Sequence, residues 1–309
     1  MPMKKAKVIF LVGPTGAGKT AVSVKLAKKI KGEIICCDSM QIYKGMDILT
    51  AQPSKKEKAA IRHHLFCIRK PSEPFSVAEY RKLALKKIDV IHRNGRVPVF
   101  TGGTGLYAQA VLDGLFSSPV EDLVLRKKLY AYAKKYGSRR LHERLKKIDP
   151  AASRKIHPND IRRVVRAFEV YKTTGSTISD LKNTATSGGV RAKYKCRIVC
   201  LFYKNRQAQY KKINDRVEEM FESGLVDEVK RLLKVKLSKT ASCALGIKQV
   251  KGLINGVYSL HDTKELLKRD TRRYAKRQIS WFKRDKAIKP VAIDSQNIKK
   301  TLDSVLALI

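Results

Sequence analysis

The chain has 309 residues, 67 Lys and Arg against 27 Asp and Glu, and a formal net charge of +40. With 43% hydrophobic residues it can build a core, so intrinsic disorder is excluded, and the length suits two domains or one with a large insertion. No apolar run approaches the roughly 18–20 residues that cross a bilayer.

The first elements alternate between strand and helix. The apolar run Lys7–Val12 stops at Gly13, too soon for a secretory segment, so a cytoplasmic protein without membrane contact is expected. Lys19–Ile30 carries Val22, Leu26 and Ile30 at helical spacing, and Glu33–Cys37 is apolar again. Val77–Ile91 is amphipathic, and the β-branched run Val97–Thr101 ends at Gly102 and Gly103. This rhythm predicts an α/β fold, a parallel doubly wound sheet of the P-loop kind.

Near Ser117-Ser118-Pro119 the pattern changes to consecutive helices: Leu123–Tyr136, Ser138–Lys147, Pro150–Ile156 and Asp160–Thr173. Residues 185–189 read as a loop, and Cys196–Tyr203 restores a strand. Helices follow at 207–224, 226–234 and 264–283, and Pro290–Asp294 is the last strand. The expected organisation is therefore a core of residues 1–116 and 196–309 with a mainly helical insertion at 117–195. Cys36, Cys37, Cys67, Cys196, Cys200 and Cys243 contain no C-x-x-C pair and read as buried thiols rather than a zinc site.

Between the first strand and helix lies Gly13, Pro14, Thr15, Gly16, Ala17, Gly18, Lys19, Thr20, which satisfies G-x-x-x-x-G-K-[ST]. Small residues let backbone N–H groups turn onto a phosphate, and the helix N-terminus adds its positive end. Lys19 brings charge to the terminal phosphate, and the Thr20 hydroxyl can ligate Mg²⁺. The motif selects a polyphosphate without saying which.

Asp38, Ser39, Met40 and Gln41 follow the second strand, where a carboxylate points into the ligand crevice of such a sheet. Asp38 is then a base or metal-associated group, against the plainer role of a turn or N-cap residue. Gly102, Gly103 and Thr104 close the third strand in the same crevice. The charge adds a nucleic acid to the expected partners, although scattered lysines also arise in a lysine-rich proteome.

Together these segments resemble the tRNA dimethylallyltransferases of bacterial type. The resemblance runs through Asp38–Tyr43, Gly45–Ile48, Thr50–Pro53, His63–Leu65, Phe75–Val77 with Tyr80 and Arg81, and Gly102–Tyr107. It continues through Asp149-Pro150, Ile156–Asp160, Arg162–Ala167, Ile213–Val217, Gly224–Val229, Ala244–Lys248 and Lys276–Phe282, so it spans nearly the whole chain. Lys212 stands where an Arg is common, and Ile247 where a Tyr is common.

The resemblance implies prenyl transfer from dimethylallyl diphosphate to the exocyclic amine of the adenine 3′ of the anticodon. It assigns Asp38 as general base, and Lys19, Thr20 with Mg²⁺, and Arg216 to the diphosphate. Gln41 would read the adenine edge. The anticodon stem-loop of tRNA would meet Asp38, Ser39, Met40, Gln41, Thr104 and Arg126. Arg162, Arg163, Val164, Val165, Arg166, Lys248, Lys276, Arg277, Gln278 and Trp281 complete that expected surface. A monomer is expected. The competing readings are prenyl transfer to free adenosine nucleotides, a P-loop kinase, and a non-catalytic RNA-binding protein.

Overall fold

The computed structural model describes residues 6–116, 121–184, 188–294 and 296–309. Six strands form one all-parallel sheet: β1 (Lys7–Val12), β2 (Gly32–Cys36), β3 (His63–His64), β4 (Val97–Gly102), β5 (Lys195–Phe202) and β6 (Lys289–Ala292), in the order β3-β2-β4-β1-β5-β6. Val8 to Val12 are fully buried. Strands covered on both faces have no polar face to alternate with, which is why β1 reads as a continuous apolar run.

Alternation along β1 sends Ile9 and Leu11 to one face, against Val22 and Leu26 of the helix Lys19–Lys29 and Val305 of the helix Ile298–Leu306. Phe10 points the other way and stacks on Phe100 of β4 at 4.4 Å. The helix Val77–Arg93 packs against β4 and β2, burying Tyr80, Ala84, Ile88 and Ile91, and the Tyr80 hydroxyl donates to the Cys36 carbonyl at 2.8 Å.

The chain divides into two compact units, one of residues up to Val111 with Lys193–Ile309 and one of Leu112–Ala192. The sequence-based boundary at 116/117 and most of the expected loop at 185–189 fall outside the described residues. The second unit is helical. Asp122, Asp149 and Asp160 each accept a backbone N–H at a helix start, and Gly175, at φ +72°, ends the helix Ile161–Thr174. Leu141, Leu145, Val164, Val165 and Phe168 form its core.

Two sequence expectations need correction. The helix expected from Lys264 begins at Leu260, because the Ser259 hydroxyl accepts the Asp262 N–H at 3.0 Å and caps it there. Of the six cysteines Cys36, Cys37 and Cys200 are buried, but Cys67 and Cys196 are half-buried and Cys243 is exposed, at the end of the 3₁₀ turn Ala241–Cys243.

Candidate active site

Val12 lies beside Gly102 of β4 and Cys200 of β5, so the loops after β1, β2 and β4 leave one edge of the sheet together. That edge holds the ligand crevice of an open parallel sheet. Gly13 turns the chain there at φ +146°, and a Cβ on it would sit 2.5 Å from the Leu201 carbonyl oxygen, so only glycine fits. Among the described residues the N–H groups of Gly16, Gly18, Lys19 and Thr20 have no protein acceptor. They form an open anion nest at a helix N-terminus.

The Lys19 Nζ donates to the Pro14 carbonyl at 2.7 Å, folded over its own loop. Burial lowers its pKa to about 8; Asp38 opposes that shift and Arg216 adds to it. Arg216, on the helix Arg206–Glu222, donates from Nη1 to the Thr15 hydroxyl at 3.0 Å, and burial lowers its pKa too. Two cations and the open amides thus converge, and among the described residues no carboxylate forms an ion pair with either cation.

Asp38 is held by a turn: its Oδ1 accepts the Met40 N–H at 3.0 Å, and no helix begins there, so it is not an N-cap. The ends of β2 and β4 are clasped around it. Cys37 N–H donates to the Thr101 carbonyl at 2.7 Å, Thr104 N–H to the Cys37 carbonyl at 3.1 Å, and Ser39 N–H to the Thr104 hydroxyl at 2.9 Å. Gln41 has its amide NH₂ on the carbonyls of Thr50 and Ala51, at 3.1 and 2.9 Å. That donor secures the neighbouring loop instead of standing free for a base edge.

A cavity of about 450 Å³ takes in Lys19, Thr20, Asp38 and Arg216 together with an apolar wall that includes Leu49, Met220 and Leu267. One end suits a polyphosphate and the rest a small hydrocarbon beside a planar polar group. Among the described residues no cluster of His, Cys, Asp and Glu could hold a metal alone. The Thr20 hydroxyl lines the cavity and makes no protein hydrogen bond among the described residues, so it could ligate a divalent cation beside a bound phosphate.

Comparison with known proteins decides the family. The IPP transferase family model matches residues 41–285. The tRNA dimethylallyltransferase of Halothermothrix orenii is 44% identical over 97% of this chain and 92% of its own length; that of Caldanaerobacter subterraneus is 45% identical over 93% and 92%. The chain belongs to the tRNA dimethylallyltransferase family. A full-length tRNA isopentenylpyrophosphate transferase structure from Bacillus halodurans matches with a TM-score of 0.71 and 39% identity, covering 98% of this chain and 95% of that one. A eukaryotic dimethylallyltransferase acting on tRNA matches with a TM-score of 0.79 and 29% identity, covering 98% and 77%.

Within this transferase the residues expected to meet RNA separate into groups. Arg162, Arg163, Lys248, Lys276 and Arg277 are exposed, with Arg163 paired to Asp160 at 3.3 Å. Ser39, Met40 and Thr104 are half-buried at the crevice. Val164 and Val165, each 1% exposed, are core residues of the second unit, which corrects their assignment as RNA contacts. Arg126 and Arg166 both pair with the fully buried Glu169, Arg126 through Nε at 2.8 Å.

Trp281 is half-buried with its ring on the Gly105 backbone, where a Cβ would lie 2.1 Å from Cδ1. Gln278 is buried at 5% exposure, accepting the Thr15 N–H and donating to the Gly103 carbonyl. Sequence reasoning missed Leu267, Thr271 and Tyr274, which line the cavity with Gln278. Their steps of four, three and four along the helix Leu260–Phe282 mark one face, and that periodicity was the available signal.

Proposed function

We propose that this chain transfers the dimethylallyl group of dimethylallyl diphosphate to the exocyclic amine of the adenine 3′ of a tRNA anticodon, with release of diphosphate. One observation carries the reading: a single cavity holds an open phosphate nest, an apolar wall and the Asp38 carboxylate. The amine forms a bond to the terminal allylic carbon while the carbon–oxygen bond breaks and its electron pair leaves with the diphosphate. Lys19, Arg216 and the loop amides take up that charge. The adenine amine is a poor nucleophile because its lone pair is delocalised, and Asp38 accepts its proton as attack proceeds.

Thr20 would hold Mg²⁺, which supplies further neutralisation of the diphosphate when bound. Among the described residues no helix is long and apolar enough to cross a membrane. The proposed partner is the anticodon stem-loop, and the proposed working form is a monomer in the cytoplasm.

Incubation with labelled dimethylallyl diphosphate and either tRNA or AMP, with ATP supplied separately, tests the reading. Label on tRNA alone, with no ATP consumed, is expected. Label on AMP alone points to the free-nucleotide reaction, and ATP consumption coupled to a phosphorylated product points to a kinase.

A further inference from the structure

We propose that Gln278 is a positioning residue whose side-chain amide clamps the phosphate loop to the Gly102–Thr104 loop, fixing the departing diphosphate relative to Asp38. Its Oε1 accepts the Thr15 N–H at 2.8 Å, and its Nε2 donates to the Gly103 carbonyl at 2.9 Å. Gly103 leaves room for this contact, since a Cβ there would lie 2.1 Å from Nε2.

Thr15 is therefore gripped twice, by Gln278 at its backbone and by Arg216 at its hydroxyl. Its N–H is taken while those of Gly16, Gly18, Lys19 and Thr20 stay open, so the clamp shapes the nest without competing for the anion. On the other side, Gly103 leads into Thr104, whose hydroxyl and N–H bond the residues flanking Asp38. One amide thus connects the cradle of the electrophile to the turn that carries the base. The connection needs a donor and an acceptor at the tip of a side chain of this length, which glutamine supplies and methionine does not.

The kinetic half of this inference rests on the transferase reading; the loop half does not. At saturating substrates, Gln278→Met should slow single-turnover prenyl transfer by roughly 10²-fold, the cost of a misplacement of about 1 Å, with the KM for tRNA unchanged. Gln278→Glu discriminates further. As a carboxylate it cannot donate to the Gly103 carbonyl, but as a carboxylic acid it regains one donor and one acceptor. Its rate relative to wild type should therefore climb as the pH falls, while the Met variant's ratio stays flat. The charged and titratable groups around the position are Lys19 and Arg216 at the phosphate loop, Asp38 across the cavity, and Tyr274 and Arg277 on its own helix. Each is common to both variants and to the wild type, and measuring below about pH 7, where Lys19 stays charged in all of them, confines the ratio to position 278.

Calorimetry with inorganic pyrophosphate reads the loop independently of prenyl transfer, and Gln278→Met should bind it several-fold more weakly. Wild-type rate and pyrophosphate affinity in the Met variant would overturn the proposal. So would a raised KM for tRNA at unchanged rate, which returns Gln278 to RNA contact. A pH-independent Glu-to-wild-type ratio overturns it even if the Met variant fails to fold. If the wild type transfers no prenyl group but the Met variant still binds pyrophosphate weakly, the transferase reading falls and the clamp stands.

Discussion

At the scale of single residues, Asp38 and Lys19 give predictions of different kinds. Asp38→Asn keeps the acceptor that holds the Met40 N–H, so the turn survives and only proton acceptance is lost. Single-turnover prenyl transfer should fall about 10²–10⁴-fold with substrate binding little changed, and a near-wild-type rate would remove Asp38 as base. On the proposed reading Lys19 binds diphosphate as the cation, and burial lowers its pKa to about 8 in the free protein. Affinity for dimethylallyl diphosphate should therefore be full below about pH 8 and decline as the pH rises through it. The bound anion favours the charged amine again, so binding above that pH should take up a proton. Calorimetry in buffers of different ionisation enthalpy measures this directly, and Lys19→Met should abolish the uptake.

The secondary elements show what sequence makes legible. β1 and β4 were readable because burial on both faces leaves continuous apolar runs, and the helix Leu123–Tyr136 because glycine punctuates its end. The helix Asp47–Thr50 was not. Its Ile48 and Leu49 N–H groups are held by the buried Glu228 carboxylate, at 2.9 and 2.8 Å, from about 180 residues away, which no local pattern announces. The phosphate loop and the Asp38 turn were legible as local motifs; Arg216, whose partner Thr15 is about 200 residues away, was legible only through the family resemblance.

Arg126 and Arg166 are a further case. The family resemblance places both among the RNA contacts, but the fully buried Glu169 takes hydrogen bonds from both. Glu169→Ala would remove the buried acceptor that the two half-buried guanidiniums share, although Glu121 still holds Arg126. Hydrogen bonds to charged groups are worth about 1.5–3 kcal/mol, so the loss should reach roughly 2 kcal/mol or more in denaturant unfolding. Glu169→Gln, which keeps the acceptor oxygen but not the charge, should lose less. A stability unchanged in both variants would mean the trio is solvated and free to meet RNA.

For the whole molecule, the net charge of +40 acts on stability and on binding with opposite sign. Without a polyanion, like charges repel across a compact surface, and salt screens that repulsion within a Debye length of about 10 Å at 0.1 M. Raising the salt should therefore increase the melting temperature of the free protein. The same salt should weaken tRNA binding, because each phosphate contact releases counterions, and log affinity falls with log salt by about 0.7–0.9 per contact. Arg162 and Arg163 are exposed, and if they meet RNA phosphates as proposed, neutralising both should flatten the slope by roughly one to two. Arg126→Gln should instead lower stability and leave the slope alone, since its charge is already engaged with Glu169 and Glu121. Melting curves and tRNA titrations on one salt series separate these outcomes. A slope unchanged by Arg162 and Arg163 but flattened by Arg126 would reverse which face of the insertion carries the RNA phosphates.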